Sequence, residues 1–302
     1  MTIGIPRALL YHRYGVLWET FLQELGIPYI VSDETNQSHI ALGNAHTVDE
    51  NCLPFKLFFG HAASLIGRVD VLFVPRFVRL GRRDEFCVRF WGLPDIVATT
   101  FPDTPVLTYD VNGTSARCHR AALVRLGGDL GRGHRACIAA YRVAESRQLE
   151  ADFLLFSQAR AALRVPGPNV LLVAQPYIAR DRMLGGRIAA MLSNCGGTPV
   201  WTDGWNRTDC GRHAHAISRD VYWGINRELL GAVTLAGHDV DGVVLLTAFP
   251  CGSDCLTNEL VLRRVRHVPV AQLLLDEHQS TEGLHTRIES FLDMLIERRC
   301  AL

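Results

Sequence analysis

The sequence predicts an α/β protein made of two Rossmann-like, doubly wound lobes joined by a helical connector. Three observations predict it. Short aliphatic and β-branched runs such as Val243-Val244-Leu245-Leu246-Thr247 end at Pro or Gly and pass into segments with apolar residues at helical spacing. Strand and helix patterns alternate at separations suited to parallel crossovers. The same rhythm occurs twice, over residues 1–114 and 166–302, and residues 115–165 between them read as helical, polar and interrupted by glycine.

In order, residues 3–5 form a strand closed by Pro6. Residues 9–25 place Leu9, Leu10, Val16, Leu17, Phe21, Leu22 and Leu25 on a helix that Gly26 stops. Residues 28–32 are a second strand, and the polar stretch 33–46 is expected to be loop with a short helix. Residues 54–66 are helical, 69–75 a strand, 94–99 a short helix and 105–109 a fourth strand. The second half gives strands at 169–174, 198–201, 241–247 and 268–275. Its helices fall at 186–192, near 222–235, at 255–265 and at 282–296.

Composition narrows the function. Across 302 residues, 31 basic side chains balance 31 acidic ones, which gives no electrostatic case for nucleic acid or an anionic membrane. No apolar run approaches the roughly 18 residues of a membrane helix, and the start Met1-Thr2-Ile3-Gly4-Ile5-Pro6-Arg7 lacks a signal-peptide layout. A cytoplasmic protein is expected. Nine cysteines are an odd count for a disulfide scaffold and point in a reducing compartment to free thiols, metal ligands or both. Lys56 is the single lysine among the basic residues; all the others are arginine, which favours a specific need for a compact ammonium there over accident.

Three cysteines sit where a strand or loop gives way to a helix: Cys52 in Glu50-Asn51-Cys52-Leu53-Pro54-Phe55-Lys56, Cys87 before Gly92-Leu93-Pro94-Asp95, and Cys251 in Phe249-Pro250-Cys251-Gly252. Loops leaving the carboxyl ends of strands are where open α/β sheets bind ligands. Such cysteines can ligate an iron-sulfur cluster, or each can be a small buried hydrophobe. Cys255, four residues after Cys251, could face the same space on the first helical turn or be a core thiol. Lys56, His61 and Glu50 flank the first cysteine and are the candidate catalytic residues, against the alternative of an ordinary surface helix. Ser253 or Asp254 can cap the helix after Cys251. Asp276-Glu277-His278 ends a strand at the ligand edge, for acid–base work or for loop packing. Cys118, Cys137, Cys195 and Cys300 read as inert. Cys210, His213 and His215 have zinc-like spacing but no fourth partner nearby. The glycines at 127, 128, 131 and 133 lack the strand and Gly-Lys-Ser/Thr ending of a phosphate loop, so the chain is not expected to hydrolyse ATP.

As an ordered set, Ile3-Gly4-Ile5-Pro6-Arg7, the Glu50 to Lys56 motif running on to Gly60-His61, Val74-Pro75-Arg76, Cys87 with Gly92-Leu93-Pro94-Asp95, Phe249-Pro250-Cys251-Gly252, and Asp276-Glu277-His278 with Thr286-Arg287 resemble one superfamily. It is the 2-hydroxyacyl-CoA dehydratase and benzoyl-CoA reductase component superfamily, in its activase-related branch, and the likeness extends over nearly the whole chain. The resemblance implies a cluster in the cleft between two lobes, either 4Fe-4S with one open iron or a double-cubane 8Fe-9S cluster. Cys52, Cys87 and Cys251 would be its ligands. A separate ATPase activator would donate low-potential electrons, and a homodimer and a small or acyl-CoA substrate would be expected. The sequence departs from the usual pattern at Val88, where a proline and lysine often follow the cysteine, and at the additional Cys255, whose thiolate would close the site and favour electron transfer. The implied function is a reductive enzyme component, with a non-catalytic cluster or electron carrier as the alternative.

Overall fold

The computed structural model describes residues 1–115 and 117–300. Residue 116, inside the expected connector, and residue 302, the expected end of the second lobe, lie outside the described residues. The chain divides into two compact units, Met1–Ala151 with Tyr222–Gly224, and Asp152–Val221 with Ile225–Leu302. Each has its own parallel sheet.

The first unit contains β1 (Ile3–Ile5), α1 (Tyr11–Glu24), β2 (Tyr29–Val31), α2 (Gln37–His46), α3 (Leu53–Leu65), β3 (Val71–Phe73), β4 (Arg76–Leu80), α4 (Val88–Thr100), β5 (Val106–Leu107), β6 (Asp110–Gly113) and α5 (Arg117–Asp129). The division between units falls within α6 (His134–Ala162). The main sheet has the order β2-β1-β3-β5, parallel throughout, with Ile3 opposite both Tyr29 and Val71. Phe21, Phe55, Phe59 and Phe73 are fully buried in its core.

Local outcomes refine the sequence reading or differ from it. The helix after Cys87 starts earlier than expected: α4 begins at Val88, and Pro94 stands inside that helix rather than starting it. The polar stretch after residue 33 forms a ten-residue helix, α2, because Asn36 Oδ1 accepts from the Ser38 and His39 amides while His39 Nδ1 accepts from the Asn36 amide. That is a capping box with histidine in the place usually held by Glu or Gln, and the usual signal is therefore missing. Strands β4 and β6 pair in a separate parallel ribbon with a register shift between Phe77 and Arg79. Neither strand shows the apolar run that marks the buried ones.

In the second unit, β7 (Asn169–Val173), α7 (Pro176–Ala179), a π-helical turn at Arg182–Gly186, α8 (Arg187–Asn194), β8 (Thr198–Trp201), α9 (Arg207–His213), α10 (Gly224–Ala236), β9 (Gly242–Ala248), α11 (Gly252–Arg264), β10 (Val270–Leu275) and α12 (Thr281–Cys300) follow in order. The sheet order is β10-β9-β7-β8, again all parallel, and every residue of β7 and β9 is buried.

Parallel pairing makes each crossover helix run back against the strands, so these helices start at the carboxyl edge of their sheet. Strand order reverses between β1 and β3 and between β7 and β9. Those switch points open the crevices in which α/β proteins bind ligands.

Candidate functional site

The three cysteines singled out from the sequence occupy one and the same structural position. Cys52 is the N-cap of α3, Cys87 of α4 and Cys251 of α11. In each, the backbone carbonyl starts the helix: the Phe55, Phe90 and Cys255 amides donate to Cys52 O, Cys87 O and Cys251 O at 2.9, 2.9 and 3.1 Å. None of the three side chains caps its helix, and each thiol is partly exposed. A helix start presents backbone N–H groups and the positive end of the helix dipole, which favour a bound anionic group.

In the first unit a single side chain ties two of these helix starts together. Arg89, in the first turn of α4, donates from Nη1 to Asn51 Oδ1 and from Nη2 to Glu50 O at 3.1 Å, and its guanidinium lies over the Phe55 ring at 5.0 Å. The two residues before Cys52 and one three residues after it are thus held by a residue two positions after Cys87. Glu50 itself is exposed.

Lys56 is 3% exposed on a helix whose residues from Leu53 to Ala62 are all buried, so its side chain has been taken out of water. His61, on the same helix, is also buried. Its Nδ1 pairs with Ser32 Oγ at 2.9 Å, its Nε2 pairs with Thr35 Oγ1 at 3.0 Å, and its ring stacks on His39 at 3.9 Å. Burial, reinforced by His39, His12 and Arg7, holds its pKa down at about 2. Ser32 Oγ also receives the Arg7 amide at 2.8 Å, so His61 braces the turns leaving β1 and β2.

In the second unit Cys251 follows β9 and Gln175 follows β7, the two strands of the switch point. Asp254, in the first turn of α11, does not cap the helix. Its side chain is buried, and Oδ1 accepts from Gln175 Nε2 at 2.7 Å and Asn226 Nδ2 at 2.9 Å. Asn226 Nδ2 also donates to Thr257 Oγ1 at 2.9 Å, Thr257 Oγ1 donates to Ser253 O at 2.8 Å, and Ser253 Oγ lies 3.5 Å from Cys251 Sγ. Burial pushes the Asp254 carboxyl above its ordinary range, against the hydrogen bonds that favour its charge. Gln175, Asn226 and Asp254 are far apart in sequence, so no local spacing could have linked them.

Residues 2–204 match the family described as "CoA enzyme activase uncharacterised domain (DUF2229)". The chain belongs to this family. The matched residues include Cys52, Cys87 and the Arg89 contacts and stop before Cys251, so the family relationship reaches two of the three N-cap thiols. No curated protein matches the chain. Solved structures similar to it include the substrate-binding protein FpvC from Pseudomonas aeruginosa in complex with Mn2+, at 13% identity over 99% of both chains with a TM-score of 0.31. A Zn(II)-bound mutant of AdcAII from Streptococcus pneumoniae matches at 8% identity over 98% of this chain and 99% of that chain, with a TM-score of 0.30.

The remaining thiols of this family member are ordinary. Burial raises the pKa of Cys118, Cys137 and Cys195 and pushes Cys210 up to about 12. His213 and His215 spend Nδ1 on the Asp209 and Arg212 carbonyls at 2.8 and 2.5 Å. Cys255 is exposed one turn beyond Cys251. Asp276 forms a turn by accepting the His278 amide at 2.8 Å, and His278 is exposed. Among the described residues of either unit, no three His, Cys, Asp or Glu side chains gather as a metal site, and no helix is long and apolar enough to cross a membrane.

Proposed function

We propose that this chain is an iron-sulfur redox protein of the 2-hydroxyacyl-CoA dehydratase type, with Cys52, Cys87 and Cys251 as cluster ligands. The observation that carries the reading is their shared position: three thiols, each at the N-cap of a crossover helix and none spent on capping. Helix starts suit an anionic group, and the donor chemistry fits iron-sulfur ligation. When bound, such a cluster supplies one-electron transfer. Around it the chain's own residues set charge and water access. Lys56 and the Arg89 guanidinium offset negative charge, while His61, neutral and doubly hydrogen-bonded, holds α3 in place. Glu50 is exposed and available to a partner or substrate.

The electrons would come from a separate ATP-dependent activator in the cytoplasm, and the chain would work as a homodimer on an acyl-CoA or other small substrate. A second reading, a non-catalytic cluster or electron carrier, is favoured by one feature. Cys255 is an exposed thiol whose amide donates to Cys251 O, one turn along the same helix, where a fourth thiolate would close the site.

Anaerobic purification with iron and acid-labile sulfide analysis and an electron paramagnetic resonance spectrum tests both. Iron and sulfide at the level of a 4Fe-4S or 8Fe-9S cluster, lost in Cys52→Ala, Cys87→Ala and Cys251→Ala, is the expected result. Zinc or no metal after reconstitution rejects the reading. Loss of cluster in Cys255→Ala moves the assignment to the carrier.

A further inference from the structure

Arg89 stands in an unfavourable place for a cation. It lies in the first turn of α4, where the helix dipole and the amides of the helix start disfavour a positive charge. A residue kept there needs compensating contacts, and Arg89 has three, all to the segment that starts α3: the Asn51 side chain, the Glu50 carbonyl and the face of Phe55. The contacts use features only arginine combines, a two-pronged planar donor and a face that stacks on an aromatic ring. Asn51 is itself buried, and its amide donates to Val48 O at 3.1 Å, so the guanidinium grips a turn that is already fixed.

We infer that Arg89 is a positioning residue that clamps the Cys87 turn onto the Cys52 turn, holding the two thiols as a pair at the carboxyl edge of the first sheet. Its purpose rests on the proposed reading of both cysteines as ligands, but the pairing is a property of the metal-free chain and can be tested there.

The test uses the full chain, metal-free and under nitrogen, treated with a short bifunctional thiol reagent. The Cys52–Cys87 cross-link is quantified by peptide mass analysis and helix content is checked by circular dichroism. Wild type is expected to give this cross-link, Arg89→Met to lower its yield about tenfold as the charge-assisted clamp is lost, and Arg89→Lys to fall between. Asn51→Ala, which removes one acceptor and leaves Arg89 and both cysteines in the chain, is expected to lower the yield as well and serves if Arg89→Met does not fold. Absence of the cross-link in wild type, or an unchanged yield in Arg89→Met or Asn51→Ala, overturns the inference. Iron analysis of reconstituted wild type is run in parallel. A wild type that cross-links and holds no iron rejects the cluster and retains the clamp, whereas one that holds iron and does not cross-link does the reverse.

Discussion

At the scale of one residue, both ring nitrogens of His61 pair with hydroxyls, and the ring is buried against His39. With its pKa held at about 2 against an ordinary 6.5, His61 is neutral in the folded chain, whereas the unfolded chain protonates it below 6.5. The unfolded state therefore binds the extra proton, and stability rises with pH across this window. The contribution of His61 is complete above pH 6.5 and is lost progressively as pH falls toward 2. In urea unfolding from about pH 6 to about pH 4, His61→Gln should show a stability slope shallower than wild type by up to about 1.4 kcal/mol per pH unit. His119, buried beside Tyr109 with its pKa lowered to about 4, stays in both proteins and contributes equally to each. An unchanged slope would mean that His61 titrates as an exposed ring does.

At the scale of elements, the position of α3 depends on how closely it meets α2. A Cβ at Gly60 would run into the His39 carbonyl, and one at Gly43 into the Lys56 carbonyl, so the two helices touch backbone to backbone on both sides. Any side chain must push them apart and carry the Cys52 turn with it. Gly60→Ala is accordingly expected to lower stability by about 2 kcal/mol or more, and Gly128→Ala, with nothing near its Cβ inside α5, to leave stability unchanged or raise it by up to about 1 kcal/mol. Calorimetric unfolding of the two variants checks the contrast, and equal effects would refute the close crossing. The helix α3 was legible because its apolar spacing is dense. The start of α4 was not, because Pro94 reads as a beginning and the residues before it carry no Ser, Thr, Asp or Asn cap. The cysteines take the cap position without making the cap bond, and a side-chain capping signal cannot find them.

For the whole molecule, the repeated rhythm of strand and helix was enough to foresee two parallel sheets, because crossover spacing is a local property of the chain. The ribbon of β4 and β6 and the Gln175–Asn226–Asp254 network were not legible, since each joins segments that meet only after folding. The proposed ligand set has the same non-local character, with Cys52 and Cys87 in one unit and Cys251 in the other. A cofactor held by the proposed thiols binds only the folded chain and stabilises it by mass action, by about 2.7 kcal/mol at a hundredfold excess over the dissociation constant. Removing iron with a chelator from reconstituted protein should then lower the unfolding midpoint by about 5 to 10 °C. Hydrogen exchange should lose protection together at the starts of α3, α4 and α11, because the same event releases all three N-caps. Loss at α3 and α4 with α11 unchanged would remove Cys251 from the ligand set and leave the pair held by Arg89 as the whole of the site.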